Sequence, residues 1–131
     1  IGPGDLYSSL LQILLTGGMS EAIKKSRAKT IYIANLMTKH GETNNFSVLD
    51  FTNEIEKYLK GKLDYVVYNT KIPSLQRLKS NKKKHPEFLN LIDFNKNLVK
   101  KKKFIGRDLI TPSGEIVHDS DKVVKIILSL I

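Results

Sequence analysis

Apolar residues recur at helical spacing near the start of the chain. Leucines and isoleucines within 6–15 predict a helix that is buried on one side and ends at Gly17 and Gly18. Ser20 is the predicted N-cap of a short second helix, which begins with an acid and ends among bases as far as Lys29. This charge order complements the helix dipole and therefore supports the second helix.

The clearest amphipathic pattern in the chain follows Ser47. Apolar side chains recur at close to 3.6-residue spacing, with acids and a lysine on the other faces, until Gly61 ends the pattern. These apolar side chains are Val48, Phe51, Ile55, Tyr58 and Leu59. A last helix is predicted to start near Asp119 or Ser120, with valine, isoleucine and leucine on its inner side.

Three short apolar runs between these helices predict strands. Residues 30–35 and 63–69 are rich in β-branched and aromatic side chains and are too short for helices, and residues 103–110 form a third run. The first two runs are apolar enough to be covered on both faces, as in a parallel sheet. The alternation of strands and helices predicts an α/β fold with a mainly parallel sheet and right-handed crossovers.

Two connecting regions show a weaker pattern. The polar segment 36–46 is predicted to be a loop between the first strand and the helix after Ser47. Within 70–103, residues 73–78 are consistent with a short helix, and lysine runs flank a predicted loop. Residues 88–94 suit either a strand or a helical turn, and the sequence leaves both open.

Length and charge indicate a single domain with a basic surface. The 131 residues carry 22 lysines and arginines against 13 acids, a formal charge of +9, and this length indicates one domain, 1–131. Residues 71–131 hold 14 of the bases and six of the acids, with lysine runs at 82–84 and 100–103. Such runs usually form a solvated surface, although they can also bind phosphate backbones. No aromatic side chains interleave with them, so nucleic acid is not an expected partner.

Absent residue types and segments narrow the class of protein. The chain has no cysteine, which excludes a disulfide scaffold, a thiol nucleophile and a zinc site built on thiolates. No apolar run approaches the roughly 18 residues of a membrane span, and the expected location is the cytoplasm. The chain opens on Ile1 without the features of a signal peptide. We expect it to be the C-terminal portion of a larger domain.

The turn Gly2-Pro3-Gly4-Asp5 is the first candidate binding segment. Ligands of parallel α/β sheets bind outside the carboxyl ends of the strands, where polar loops gather. Glycines let the backbone pass close to a ligand, and a turn that enters a helix suits phosphate. Asp5 can cap this helix, hold a sugar hydroxyl or bind a metal. An ordinary turn explains the same composition, and that alternative stays open.

Residues 35–46 are the second candidate. They follow a predicted strand and supply amides, hydroxyls, a carboxylate and the imidazole of His40, which are groups that bind a nucleobase, ribose or sugar. An ordinary loop, in which Asn and Thr satisfy backbone groups of the turn, is the alternative. His40 has no partner at metal-ligand spacing, and no catalytic Ser-His-Asp trio can be assigned. Smaller candidates at element ends are Asn69-Thr70 and His118-Asp119.

Five motifs occur in the order found in a known family. They are Ile1-Gly2-Pro3-Gly4-Asp5-Leu6-Tyr7-Ser8-Ser9, Tyr32-Ile33-Ala34-Asn35-Leu36-Met37-Thr38, Gly41-Glu42-Thr43, Asp64-Tyr65-Val66-Val67-Tyr68-Asn69-Thr70 and His118-Asp119-Ser120-Asp121-Lys122-Val123. In these motifs, which extend over nearly the whole chain, the sequence resembles the gluconeogenesis-factor (YvcK-like) proteins. These proteins are relatives of the CofD-like 2-phospho-L-lactate transferases.

The resemblance implies a three-layer Rossmann-like domain, here without its N-terminal part, that binds a nucleotide. In the YvcK-like branch the ligand is a uridine diphosphate (UDP) sugar, and the protein regulates carbon metabolism, cell shape and cell-wall synthesis rather than catalysing a reaction. The CofD-like branch implies instead a magnesium-dependent 2-phospho-L-lactate transferase, in which Asp5 helps to place the metal. An anion-binding module that uses the lysine runs is a third alternative. Whether the chain forms a homo-oligomer stays open.

The resemblance also implies a set of ligand-binding positions. They are Gly2, Gly4, Asp5, Asn35, Met37, Thr38, Gly41, Glu42 and Thr43, with Asn69 and Thr70 as additions. Five residues depart from the family pattern, in which Gln-Pro is common in place of Lys39-His40, Asp-Gly in place of Asn44-Asn45, and a base in place of Val117. The departures fall on residues expected to select the sugar and to contact a phosphate.

Overall fold

The computed structural model describes residues 1–95, 97–98 and 101–131 and shows two sheets. In the described residues the strands are β1 (Ile31–Ile33), β2 (Met37–Lys39), β3 (Tyr65–Asn69), β4 (Phe88–Leu91) and β5 (Phe104–Arg107). Three of them form a parallel sheet in the order β1-β3-β5, in which Val66 pairs with both Tyr32 and Phe104. This sheet confirms the predicted α/β fold.

Helices cover both faces of the parallel sheet. A π-helical segment, Leu6–Leu10, runs directly into α1 (Leu11–Leu14), and α2 (Met19–Lys25), α3 (Val48–Leu59), α4 (Leu75–Lys84) and α5 (Ser120–Leu130) follow. Alternate strand residues enter two separate apolar clusters: Val66 and Tyr68 pack on the side of α1 and α3, and Val67 packs on the side of α4 and α5. The result is the three-layer arrangement expected of a Rossmann-like fragment.

The helix after Ser47 follows the predicted pattern. The Ser47 hydroxyl accepts from the Asp50 backbone N–H at 3.3 Å, and the Asp50 carboxylate accepts from the Ser47 N–H at 2.8 Å. This reciprocal cap satisfies two backbone donors at the start of α3. The helix ends at Leu59 because Lys60 adopts a left-handed φ of 53°, one residue before the predicted stop at Gly61.

The predicted N-cap at Ser20 is wrong. Helix α2 begins one residue earlier, at Met19, and Gly18 occupies the cap position with a φ of 82°. Ser20 lies inside the helix and is buried, and its hydroxyl donates to the backbone carbonyl of Tyr58 at 2.9 Å. Ser20 therefore connects α2 to the end of α3, although its position in the sequence resembles that of an N-cap.

A second, two-stranded sheet replaces part of the predicted loop 36–46. Strand β2 pairs antiparallel with β4, which settles residues 88–91 as a strand. The Thr38 hydroxyl accepts from the Asn90 backbone N–H at 3.3 Å across this pair. Short polar strands of this kind depend on a distant partner, so the local pattern did not indicate them.

Helix α4 is longer than the predicted 73–78. Ser74 caps it by accepting from the backbone N–H of Arg77 at 3.3 Å, and the helix continues through Lys84. The lysine run 82–84 thus forms the last helical turn instead of flanking a loop. Positive charge at a helix C-terminus is favourable, which explains why three adjacent lysines are accommodated there. Of the second run, Lys100 lies outside the described residues.

The first residue of the chain lies alongside β1. The Ile33 backbone N–H donates to the carbonyl of Ile1 at 2.9 Å, and the amino group of Ile1 donates to the Ile31 carbonyl at 2.7 Å. Gly2 has a φ of 77°, and a Cβ at this position would lie 2.9 Å from the Ile33 carbonyl oxygen. Glycine is therefore required where the N-terminal turn leaves the strand. No described helix is both long and apolar enough to cross a bilayer.

Candidate functional site

Two adjoining cavities open at the carboxyl ends of β1 and β3. The first, which we call the loop cavity, measures about 280 Å³ and lies among residues 3–5, the second sheet and residues 116–118. The second, the strand cavity, measures about 350 Å³ and lies among residues 68–72 and 91–94. Asn35 and Leu36, which follow β1, line both cavities. This is the edge at which α/β sheets bind ligands.

The loop cavity combines apolar walls with a few polar groups. Its polar side chains are those of Asp5, Asn35 and His118, and Gly4 contributes backbone. Its apolar walls come from Pro3, Leu36, Met37, Phe88, Ile116 and Val117. Small-molecule sites are typically built in this way, from apolar surface with a small number of placed polar groups.

Asn35 stands between the two cavities with an unsatisfied side chain. Its Oδ1 atom is buried and has no hydrogen-bond partner in the described part of the chain. Buried side-chain oxygens are rarely left in this state, because they lose their hydration without gaining a partner. The position follows directly from β1, where a ligand across the sheet edge would meet it. Asn35 is thus the strongest indication of a ligand contact at this site.

Lys39 ties the N-terminal turn to the turn after β2. Its ammonium contacts the Asp5 carboxylate at 2.6 Å and the Glu42 carboxylate at 2.8 Å. Hydrogen bonds to these two carboxylates raise the pKa of Lys39 above its ordinary value. The second oxygen of Glu42, Oε2, is buried without a partner in the described residues. Lys39 is not among the candidates from the sequence, and it departs from the family pattern at this position.

Several candidates in the turn after β2 hold backbone and line neither cavity. Gly41 has a φ of 75° and donates its N–H to Asn44 Oδ1 at 3.0 Å. The Thr43 hydroxyl is buried and accepts from the Lys39 N–H at 2.9 Å, and the Thr38 hydroxyl faces Asn90. These hydrogen bonds stabilise the backbone, so these polar residues have a structural role.

The structure therefore divides the eleven sequence candidates into three sets. Gly4, Asp5, Asn35 and Met37 meet at the loop cavity. Asn69 and Thr70 join Asn35 at the strand cavity. The cavity linings do not include Gly2, Thr38, Gly41, Glu42 or Thr43.

Asn69 ends β3 two residues beyond Val67, just as Asn35 lies two residues beyond Ile33, the partner of Val67 in β1, yet both polar atoms of the Asn69 amide have partners. Its Oδ1 accepts from the backbone N–H groups of Lys71 and Leu109, both at 3.1 Å. Its Nδ2 donates to the Lys71 carbonyl at 2.8 Å. Asn69 thus fastens the ends of two neighbouring strands, and its amide has little capacity left for a ligand.

His118 is the most informative residue that enters the site from the C-terminal half. Its Nε2 lies 3.2 Å from the Ala34 carbonyl oxygen, beside the end of β1. Burial lowers the pKa of His118, and the hydrogen bond to Ala34 opposes this shift only in part. Burial therefore favours the neutral imidazole, and His118 lines the loop cavity. The sequence indicates this position through His118-Asp119 and marks Val117 as a departure from the family pattern, whereas Phe88 carries no recognisable signal.

The transferase alternative assigns the placing of magnesium to Asp5. The described residues contain no group of three or more His, Cys, Asp or Glu side chains placed to hold a metal. Asp5 Oδ2 contacts the Lys39 ammonium at 2.6 Å. Mg²⁺ is commonly held by one or two carboxylates together with phosphates of the substrate, so Asp5 would have to exchange Lys39 for the metal to take this role.

The lysine runs lie outside both cavities. None of the described lysines of 82–84 and 101–103 lines either one. Lys103 pairs with the buried Glu56 carboxylate, and Lys84 pairs with Glu115 at 3.0 Å. Two of these lysines therefore have partners within the fold.

Comparison with known proteins gives relatives over the whole chain. Proteins described as "Putative gluconeogenesis factor" are 38% identical in Thermotoga maritima and 36% identical in Clostridium acetobutylicum, over 96% and 100% of this chain. Two crystal structures of a protein from Bacillus halodurans, one described as a member of the UPF0052 family, match with TM-scores of 0.81 and 0.85. Their identities are 31% and 30%, and each match covers 98% of this chain.

These relatives are longer than the chain. It spans 41% and 29% of the two gluconeogenesis-factor proteins, and 41% and 42% of the crystallised chains. A sequence model of the CofD family, described as 2-phospho-L-lactate transferase CofD, matches residues 1–110. That match includes β1 to β5 and most of the loop cavity. The chain belongs to the CofD family and is similar over nearly its whole length to gluconeogenesis-factor proteins.

Proposed function

We propose that the loop and strand cavities form part of a nucleotide-sugar site, and that the protein is a cytoplasmic regulator of carbon metabolism, cell shape and cell-wall synthesis that binds a UDP sugar. The unpaired Asn35 Oδ1 between the cavities, which has no partner among the described residues, carries the proposal. An amide presents one acceptor and two donors, which match the N–H and carbonyl groups of a nucleobase and the hydroxyls of a sugar.

The surroundings of Asn35 favour binding over catalysis. The loop cavity holds one carboxylate, which is paired with Lys39, and one imidazole, whose neutral form is favoured because burial lowers its pKa. These groups can orient a ligand, but they do not form a nucleophile with a base at hydrogen-bond distance. The names of the relatives support a role as a gluconeogenesis factor. Because the chain spans 41% of the Thermotoga relative, the role of the whole protein rests on this proposal.

Calorimetry on the full-length protein with UDP-N-acetylglucosamine tests the proposal. We expect saturable binding to the wild type and a loss of affinity of about tenfold or more in Asn35→Ala, because a buried polar contact is removed. Asn53→Ala, an exposed change on α3 that touches neither cavity, is the matched control and should bind as the wild type does. Equal binding by the Asn35 variant, or no binding of any uridine nucleotide, would contradict the proposal.

The same preparation separates the remaining alternatives. Turnover of a guanosine-diphosphate-linked 2-phospho-L-lactate donor in the presence of Mg²⁺ would identify a transferase, in line with the description of the matching family. Affinity for nucleic acid that collapses as salt rises would identify an anion-binding module acting through the lysine runs. We expect neither result from a nucleotide-sugar regulator.

A further inference from the structure

Tyr68, on the middle strand of the parallel sheet, brings a second unsatisfied polar atom to this site. The residue is fully buried, and its hydroxyl has no hydrogen-bond partner among the described residues. Tyr68 lines the strand cavity, as does Asn35 from the neighbouring strand end. Burial raises the pKa of Tyr68, so the hydroxyl stays protonated and can donate.

Gly106 on β5 leaves space for the Tyr68 ring. A Cβ on Gly106 would lie 2.9 Å from the Tyr68 hydroxyl and 2.7 Å from the Thr70 methyl group. The hydroxyl and Thr70, which also lines the strand cavity, therefore converge over the same point of β5. The sheet leaves out a side chain at this point, which gives the tyrosine room.

Apart from Asn35 and Tyr68, the strand cavity is lined by apolar side chains, by Asn69 and Thr70, and by two charged residues at exposed positions. Val48, Ile92 and Phe94 form apolar wall, and the Phe94 ring lies 5.2 Å from the Tyr68 ring, centroid to centroid. Lys71 and Asp93 also line the cavity, but both are exposed. Aromatic and aliphatic walls around isolated polar atoms suit a flat, uncharged group that carries its own donors and acceptors.

Other kinds of occupant fit these walls less well. A purely apolar group would leave both the Asn35 and the Tyr68 atoms unpaired. An ionised phosphate cannot pair with Asn35 Oδ1, because both are hydrogen-bond acceptors. We propose that the strand cavity takes the nucleoside half of the ligand, with Asn35 and Tyr68 hydrogen-bonding its base or ribose. This inference rests on the proposed function and adds which half of the ligand the strand cavity holds.

Tyr68→Phe tests the assignment with little risk to folding, because it removes only the unpaired hydroxyl and keeps the ring against Phe94. Tyr58→Phe is the control, since Tyr58 packs on the same apolar cluster and lines neither cavity. The probes are uridine, N-acetylglucosamine 1-phosphate and UDP-N-acetylglucosamine, titrated into the full-length protein by calorimetry or by ligand-observed nuclear magnetic resonance.

The expected result is selective. Tyr68→Phe should weaken uridine and UDP-N-acetylglucosamine by about tenfold, which is a typical effect of one buried hydrogen bond, and leave N-acetylglucosamine 1-phosphate unchanged. If UDP-N-acetylglucosamine binds the wild type and Tyr68→Phe equally, the cavity assignment is overturned and the proposed function stands. The assignment is also overturned if Tyr68→Phe weakens only N-acetylglucosamine 1-phosphate. If the wild type binds neither uridine nor the UDP sugar, both proposals fail.

Discussion

Asn35 and Asn69 hold equivalent places at the ends of neighbouring parallel strands, and replacing each by alanine should affect stability differently. Asn35 Oδ1 is buried and accepts no hydrogen bond within the described residues. The Asn69 amide makes three hydrogen bonds, with Lys71 and Leu109 as its partners. Comparing the two variants therefore distinguishes a residue that serves ligand binding from a residue that stabilises the fold.

The magnitudes follow from these hydrogen bonds. Asn69→Ala removes three bonds worth about 1 kcal/mol each in net terms and leaves backbone N–H groups unpaired, so we expect a loss of about 2–3 kcal/mol in the free energy of unfolding. Asn35→Ala removes an unpaired buried carbonyl, a group that costs about 1–3 kcal/mol when left unsatisfied. Lost packing offsets part of this gain. We expect the unfolding free energy of Asn35→Ala to change by between about 0 and +1 kcal/mol.

Urea unfolding of the ligand-free full-length protein, followed by circular dichroism, measures both changes. The wild type and both variants should share one m-value, so that the midpoints report stability directly. A loss in Asn35→Ala as large as that in Asn69→Ala would refute the reasoning, because it would show that the Asn35 amide stabilises the fold. Addition of UDP-N-acetylglucosamine should then raise the midpoint of the wild type more than that of Asn35→Ala.

Three further predictions concern groups outside the amide pair. Burial alone would raise the pKa of Glu56, but hydrogen bonds from two lysines and a backbone N–H lower it. Glu56→Gln should therefore lower the free energy of unfolding by about 2 kcal/mol at pH 7. This difference between the variant and the wild type should fade as pH falls below about 4.5 in urea titrations. A constant difference at all pH values would contradict this. Because burial lowers the pKa of His118 in the folded state, the wild type should lose stability as pH falls below about 6.5, and His118→Gln should lose less between about pH 7.5 and 5.5 in thermal melts. Equal losses would contradict it. Arg77 donates to the carbonyls of Thr111, Gly114 and Glu115; Arg77→Lys should cost about 1–2 kcal/mol and speed amide exchange in 111–115, since an ammonium cannot span them. Unchanged exchange would contradict this.

Elements whose signals are local could be predicted from the sequence. Helix α3 carries its own cap, its apolar stripe and its stop within one short stretch of chain, and all three act on the helix they flank. Strands β1 and β3 are buried on both faces, so their apolar runs indicate a parallel sheet without reference to any partner. The order of strands and helices then leaves few topologies to consider.

The second sheet and α4 could not be predicted in the same way. Met37 of β2 pairs with Leu91 of β4, and neither strand alternates clearly enough to be recognised alone. Helix α4 carries few apolar residues. Leu78 and Asn81 supply most of its inward contact. Where a short element is stabilised by distant residues, the local pattern holds too little information.

The same limit applies to the site. The motifs that resemble the family lie at the strand end where the two cavities open, but they group Asn35 with Thr38 and Thr43, whose hydroxyls accept backbone hydrogen bonds within the fold. Composition counts polar groups and does not show which of them already have partners. A backbone N–H at Leu109, far along the chain, engages Asn69, whereas Asn35 Oδ1 has no such partner among the described residues.

The structure of helix α4 explains part of the positive charge in the second half of the chain. Arg77 and Asn81 face inward, and Asn81 Oδ1 accepts from the backbone N–H of Ile116 at 3.2 Å. The segment 116–118, which forms one wall of the loop cavity, is thus held from the side by this helix. A surface helix with so little apolar side-chain area needs a polar outer face, and the lysines of 82–84 supply part of that face. Helix α4 therefore supports this wall through Asn81, and neutralising exposed lysines in 82–83 should leave ligand affinity unchanged while Asn81→Ala lowers it.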